Sequence, residues 1–251
     1  MKRIGKRLMK LCCLLLVFGA CALAAAGIVV GFKGYAMYRN AVRELPIEEG
    51  LRQVQSMDGF TPFEELPEIY VDAVTAAEDH RFWTHRGIDL MAIARAAFHD
   101  LRTRSFDQGG STITQQLMKN QYFSQGKTLE RKAAEIFAAL EAEKRCSKRE
   151  IFEWYVNTIY FGSGYYGIRE AARGYFDKEP SQLEDGEALM LAGLPNAPSV
   201  YSPDANPELA MERMEQVAEC MVKRGMLTEE RAEELTRDLG DFVTEKKLEI
   251  G

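Results

Sequence analysis

With 251 residues, 46% of them apolar and 28% charged, the chain has room for one ordinary globular domain plus an anchor, or for two small domains. Its formal charge is −6, but Lys2, Arg3, Lys6, Arg7 and Lys10 put +5 into the first ten residues, which leaves −11 for the rest. So acidic a body excludes a general nucleic-acid role, which needs a basic surface, and makes any basic cluster inside it conspicuous.

Residues 1–10 read as a basic cytoplasmic tail. Residues 11–32 hold no charge at all; as a helix they would be roughly 33 Å long, enough to cross a hydrocarbon core of about 30 Å. The basic flank predicts that the N-terminus stays in the cytoplasm and the body lies outside a bacterial cytoplasmic membrane, held by a single pass. A cleaved signal peptide usually has a shorter apolar core, about 7–15 residues, and for a lipoprotein at Cys21 the apolar run continues too far. Residues 33–59 read as a juxtamembrane helix and linker punctuated by Pro46 and Gly50.

From Pro62 helical periodicity dominates, with scarcely any alternating β-branched run. Pro67 suits the first turn of a helix ending near Glu78. Further helices are expected over 88–101, 111–121 and 128–144, the first followed by a polar loop at 102–107. On the 128–144 helix, Leu129, Ala133, Ile136, Phe137 and Leu140 form the expected core stripe, and Glu135 points away from it with Arg131 and Lys132 one turn earlier on its own side. A helix over 148–160 precedes a tight loop at Gly162, Gly164 and Gly167. Helices reaching Tyr175 and spanning 183–194 follow, then a Pro-rich turn at 195–203. A closing helical hairpin is expected over 207–224 and 228–239. The fold class is therefore mainly α, with a main domain over 60–205 and a hairpin and tail over 206–251.

Three features could carry chemistry. Glu78 ends an apolar helix, where the negative pole of the dipole disfavours a carboxylate and favours a proton-accepting role; an ordinary acidic helix end looks the same. The stretch Q-G-G-S-T-I-T-Q-Q from Gln108 frees the backbone and then caps a helix, which is either common turn chemistry or a binding edge. Lys119, Lys127, Arg131 and Lys132 form a basic island, readable as a salt-bridged solvent face or as a groove wall that grips phosphate. Cys146 and Cys220 have no metal-ligand spacing and read as free thiols. His80, His85 and His99 show no metal spacing either, and His85 reads as a structural hydrogen-bonder. Ser124 to Lys127 matches the acylating Ser-x-x-Lys pattern without its usual companions, and is read as chance.

Five stretches taken in order are similar to glycosyltransferase family 51, the peptidoglycan polymerase domain of class A penicillin-binding proteins and monofunctional transglycosylases. They are E-D-H-R-F-W-T-H-R-G-I-D from Glu78, Q-G-G-S-T-I-T-Q-Q from Gln108, R-K-A-A-E from Arg131, the segment from Glu153 through I-Y-F-G-S-G-Y-Y-G-I to Phe176, and L-A-G-L-P-N-A-P-S-V-Y-S-P from Leu191. The match covers about residues 60–205.

The resemblance implies a lysozyme-like helical fold with a small apolar jaw on the membrane, which Leu117, Met118, Tyr122 and Phe123 would suit. It implies a catalytic base at Glu78, removing the proton of the GlcNAc 4-hydroxyl of lipid II. That oxygen attacks C1 of MurNAc on the growing glycan strand with inversion, expelling undecaprenyl pyrophosphate. Glu135 is implied as the second essential carboxylate. Lys119, Lys127 and Lys132 are implied to hold pyrophosphate, Ser111, Gln115 and Gln116 to line the cleft, and Asp79 and Phe82 to complete the motif around the base. No cofactor is required, although a divalent cation (Mg or Mn) could assist departure of the pyrophosphate. Partners would be lipid II, the glycan strand, the membrane and transpeptidases of the wall-building machinery.

Two positions depart from the family pattern. Lys127 replaces a usual Arg, losing its planar fork, and Asp177 replaces a usual Gly. The chain runs about 45 residues past the last motif and resembles the monofunctional type. Two other readings stay open on the residues alone: a lysozyme-like muramidase, which would have no use for the lysines, and a non-catalytic cell-wall scaffold.

Overall fold

The computed structural model describes residues 2–103, 110–123, 126 and 128–250. Lys127, Gln108, Gly109, Ser124 and Gln125 therefore lie outside the described residues. The architecture is mainly α, as the periodicity predicts; among the described residues the only β pairing is an isolated bridge between Tyr160 and Tyr166.

Helix α1 (Lys2–Glu44) is continuous for 43 residues. Its portion Cys13–Glu44 is long and apolar enough to cross a membrane, and the apolar window is not buried by the rest of the protein. The juxtamembrane helix expected after residue 32 is continuous with the apolar span and runs to Glu44, because nothing in 33–44 breaks it before Pro46 removes an N–H and restricts its neighbour. This extension lies along α6 (Leu129–Arg145). Gly34 allows the approach, since a Cβ there would sit 2.5 Å from that of Ala133. Tyr35 meets the Phe137 ring edge-on at 5.3 Å, and Tyr38 packs on the same ring.

That contact corrects the expected stripe on α6. The face turned into the body is Ala134, Glu135, Ala138, Ala139 and Ala142, while Phe137 and Ala133 face α1 and Leu129 is exposed. Alanines let neighbouring backbone come close. Gly87, at φ 86°, uses this: a Cβ there would be 2.8 Å from the Ala139 carbonyl oxygen.

Helix α2 (Ile47–Gln55) buries Ile47, Leu51 and Val54. Helix α3 (Glu68–Glu78) buries Tyr70, Ala73, Val74 and Ala76 and stops at Glu78. Helix α4 (Leu90–Thr103) starts at Asp89, whose carboxylate accepts from the Ala92 N–H at 2.8 Å and from Arg81 Nε at 2.8 Å. Helix α5 (Ile113–Tyr122) opens on a reciprocal capping box between Thr112 and Gln115, and α7 (Lys148–Thr158) on one between Ser147 and Glu150. Helix α8 (Ile168–Phe176) is followed by α9 (Asp185–Gly193), the short α10 (Pro198–Tyr201), α11 (Pro207–Lys223) and α12 (Glu229–Ile250).

Residues Gly186 to Gly193 of α9 are all buried, as a helix apolar on every side requires. It packs against α3, α8, α11 and α12 and forms the centre of the body. Helix α11 also packs on α3, so the segment after 206 is built into the same core.

The expected membrane-facing residues are a second correction. Leu117 and Met118 are buried in the core, and Tyr122 and Phe123 pack against it. Apolar exposure occurs on α4 instead, at Leu90, Met91 and Phe98. Cys146 and Cys220 are free thiols, and burial pushes that of Cys146 up to about 12.

Asp177 caps α8 in the left-handed region at φ 56°. A side chain costs energy there and glycine does not, which explains why glycine is usual at this place. Asp177→Gly should therefore stabilise the fold by about 0.5–1 kcal/mol, readable as a higher midpoint in thermal denaturation; a lower midpoint would show that the Asp side chain contributes more than its backbone costs.

Candidate active site

One cleft of about 720 Å³ collects most of the residues singled out in the sequence. Glu78, Asp79, Ser111, Gln115, Gln116, Lys119, Lys132 and Glu135 all line it. The end of α3 forms one wall, the start of α5 and the first turns of α6 another, and α4 and α11 close the remaining sides.

Glu78 is held from two directions. Gln116 donates from Nε2 to its Oε2 at 2.8 Å, and Gln116 Oε1 in turn accepts from the Tyr155 hydroxyl at 3.4 Å. Arg213, on α11, reaches Glu78 Oε1 at 3.5 Å. Its own Nε is fixed on the Gly193 carbonyl and one terminal nitrogen donates to Gln216. The carboxylate is thus oriented by a neutral donor and by a braced guanidinium, with lone pairs left for a further donor.

Asp79 points elsewhere. Its Oδ2 accepts from the Ile113 N–H at 3.0 Å and lies 2.7 Å from His85 Nε2, while the Gly87 N–H donates to His85 Nδ1. That last bond leaves Nε2 as the protonated nitrogen, donating to Asp79. Asp79 therefore ties the residue after the base to the first turn of α5. His85 takes the structural hydrogen-bonding role read from the sequence.

Gln115 lines the cleft, but its side-chain oxygen accepts from the Thr112 N–H at 3.0 Å as part of the cap. Glu135 is buried, paired by Lys132 at 3.0 Å and by Arg131 at 3.3 Å. Two cations around one buried carboxylate compensate the cost of removing it from water. The Lys132 ammonium also donates to Ser111 Oγ at 2.6 Å, so Ser111, Lys132 and Glu135 form one connected wall. The pKa of Lys119 is lowered, chiefly by burial, with Glu135 opposing.

Phe82 does not reach the cleft. It is fully buried against Trp83 and Phe152, with the Lys148 ammonium 4.4 Å from its ring centroid. Lys148 and Thr114 share Glu143, so Phe82 supports the site from behind. Among the described residues no group of three or more His, Cys, Asp or Glu could hold a metal ion, and Glu135 is committed to cations. The donor set does not fit a dedicated divalent site.

Sequence reasoning missed Arg213. The signal was present: Ala210, Met214, Val217 and Met221 form the buried face of α11, and Arg213 shares that face at a spacing normally kept for apolar residues. An arginine there must find an acid inside the protein, and it finds Glu78.

The transglycosylase family model matches residues 47–222, which includes Glu78, Ser111, Lys119, Lys132, Glu135 and Arg213 of the cleft. The chain belongs to the transglycosylase family. A putative transglycosylase of Cupriavidus necator is 39% identical over 228 residues, covering 91% of this chain and 94% of that relative. Penicillin-binding protein 1A of Aquifex aeolicus is 44% identical over 175 residues, 70% of this chain. The chain spans 24% of the length of that protein. The crystal structure of penicillin-binding protein 1A from Haemophilus influenzae aligns with a TM-score of 0.42 and 21% identity, covering 70% of this chain and 17% of that one.

Proposed function

We propose that this transglycosylase is a peptidoglycan glycosyltransferase that polymerises lipid II into β-1,4-linked glycan at the outer face of the cytoplasmic membrane. The supporting observation is that Glu78 shares one cleft with Lys119, Lys132, Ser111 and Glu135. A carboxylate for a hydroxyl proton and cations for a departing diphosphate are the two things this reaction needs.

In this reading Glu78 takes the proton of the GlcNAc 4-hydroxyl of the acceptor. The new bond forms from that oxygen to MurNAc C1 of the growing strand, with inversion. The bond from C1 to the phosphate oxygen breaks, and its electron pair leaves on undecaprenyl pyrophosphate. Gln116 and Arg213 keep the base aimed, Lys119 and Lys132 meet the negative charge that develops on the leaving group, and Glu135 holds Lys132 in place. Helix α1 anchors the protein, and the apolar side chains of α4 beside the cleft rest on the lipid surface. Transpeptidases would act on the strand afterwards.

Detergent-solubilised full chain incubated with lipid II should yield linear polymer. Cleavage of finished glycan without polymerisation would favour a muramidase, and neither outcome would favour a scaffold. Lys132→Ala should lower kcat/KM with lipid II by about 10–100-fold, the range expected for losing a charge-assisted contact worth about 1.5–3 kcal/mol. Unchanged kinetics would remove Lys132 from the diphosphate role.

A further inference from the structure

Helix α7 carries polar side chains at alternate positions, Glu153, Tyr155 and Asn157, and the first and last of them tie down neighbouring chain. Glu153 Oε1 accepts from the Phe63 N–H at 2.8 Å. The Asn157 side chain accepts from the Thr61 N–H at 2.7 Å and donates to the Thr61 carbonyl at 2.8 Å. Four residues apart on one helix, these two share a face and hold the segment that leads into α3. Tyr155 serves neither bond. It is 1% exposed, and no residue of α7 lines the cleft. For packing alone, a phenylalanine would do.

The Tyr155 hydroxyl donates to Gln116 Oε1 at 3.4 Å, and Gln116 Nε2 donates to Glu78 Oε2 at 2.8 Å. Burial raises the pKa of Tyr155, and the charge of Glu78 acts in the same direction, so the hydroxyl keeps its proton. The helix that delivers it is fixed at both ends, by the Ser147–Glu150 capping box and by Asn157. A carboxamide can present either its oxygen or its nitrogen to a neighbour. Turned over, Gln116 would set its oxygen against the Glu78 carboxylate and leave the buried tyrosine proton without an acceptor. The first penalty lasts only while Glu78 is ionised. A base that has just taken a proton is itself a donor, and it would favour the turned amide. The second penalty is independent of that proton, because an unsatisfied buried donor is costly in either state.

We propose that Tyr155 is a positioning residue for the base: its buried hydroxyl holds the Gln116 amide with its nitrogen toward Glu78 through the whole catalytic cycle. This rests on the reading of Glu78 as the base. Tyr155 touches neither substrate nor reacting atoms, and acts only through Gln116. It returns the base to its starting hydrogen bond after each proton transfer, so its effect falls on kcat and not on the binding of lipid II.

The test is a double-mutant cycle on lipid II polymerisation by the full chain in detergent. Tyr155→Phe should lower kcat by about 3–10-fold with KM within about twofold of wild type, the effect of losing one neutral hydrogen bond. Gln116→Ala should lower kcat by about 10–100-fold, as for a hydrogen bond to a charged group. In the Gln116→Ala background, Tyr155→Phe should have no further effect, since the latch has nothing left to hold. A tyrosine needed only for packing would slow both backgrounds by the same factor, and that result overturns the proposal. So does a kcat for Tyr155→Phe within about twofold of wild type, or a raised KM with kcat unchanged. Glu78→Gln, measured alongside, separates this idea from the one it rests on. Near-complete loss in Glu78→Gln with a wild-type rate in Tyr155→Phe overturns the positioning role alone. A wild-type rate in Glu78→Gln overturns both.

Discussion

Glu78→Gln should cut the rate of glycan polymerisation by at least about 100-fold, because general bases typically contribute about 10²–10⁴ in rate. The substitution is nearly isosteric. The amide oxygen can still accept from Gln116 Nε2 at 2.8 Å, which puts the amide NH2 opposite the more distant terminal nitrogen of Arg213 at 3.5 Å. What disappears is the capacity to accept a proton from a sugar hydroxyl. Unfolding temperature and diphosphate binding should change little, so the loss belongs to kcat and not to the fold. A variant that keeps more than about a tenth of the wild-type rate would exclude Glu78 as the base.

The next residue should behave in the opposite way. Asp79→Ala removes the acceptor for both the Ile113 N–H and His85, inside a region where the side chain is 3% exposed. Leaving two buried donors unsatisfied should cost about 3 kcal/mol, at about 1–3 kcal/mol for each stranded group. For a chain of this size that is a fall of about 6–12 °C in the unfolding midpoint. Activity should fall as well, because the start of α5 carries Ser111, Gln115, Gln116 and Lys119 into the cleft. Thermal denaturation followed by circular dichroism separates the two neighbours. An unchanged midpoint in Asp79→Ala would mean that its carboxylate does not hold the first turn of α5 in place.

Much of the helical plan was legible because local chemistry marks it. Pro67 precedes α3, Thr112 with Gln115 opens α5, and Ser147 with Glu150 opens α7. These signals act within four residues and survive any tertiary context. The orientation of α6 was not legible for a different reason. That helix has two apolar faces, one of large side chains and one of alanines, and periodicity alone cannot say which meets the body. Size suggests the large face; the close approach of Gly87 decides for the small one.

Among the described residues, those carried by contiguous motifs line one cleft except Phe82, because an aromatic beside such a motif can equally well buttress it from within; Lys127 lies outside the described residues. Arg213 was marked only by sharing the buried face of α11, a signal that says it has an internal partner but not which one. Its meaning depends on which acid the fold brings near, and Arg213 lies 135 residues from Glu78 in sequence.

The unbroken path from the apolar part of α1 into its seam with α6 has a mechanical consequence. With no hinge between Lys33 and Glu44, a stretch of roughly 18 Å, an anchored protein would behave as a lever and not as a tethered float. Tilting the buried rod would swing the catalytic groove by the same angle, so bilayer thickness would set the height at which a lipid headgroup meets Glu78. Swapping Gly34 for a bulky residue would unclasp that lever at the collar it shares with Ala133, turning a fixed working height into a variable one.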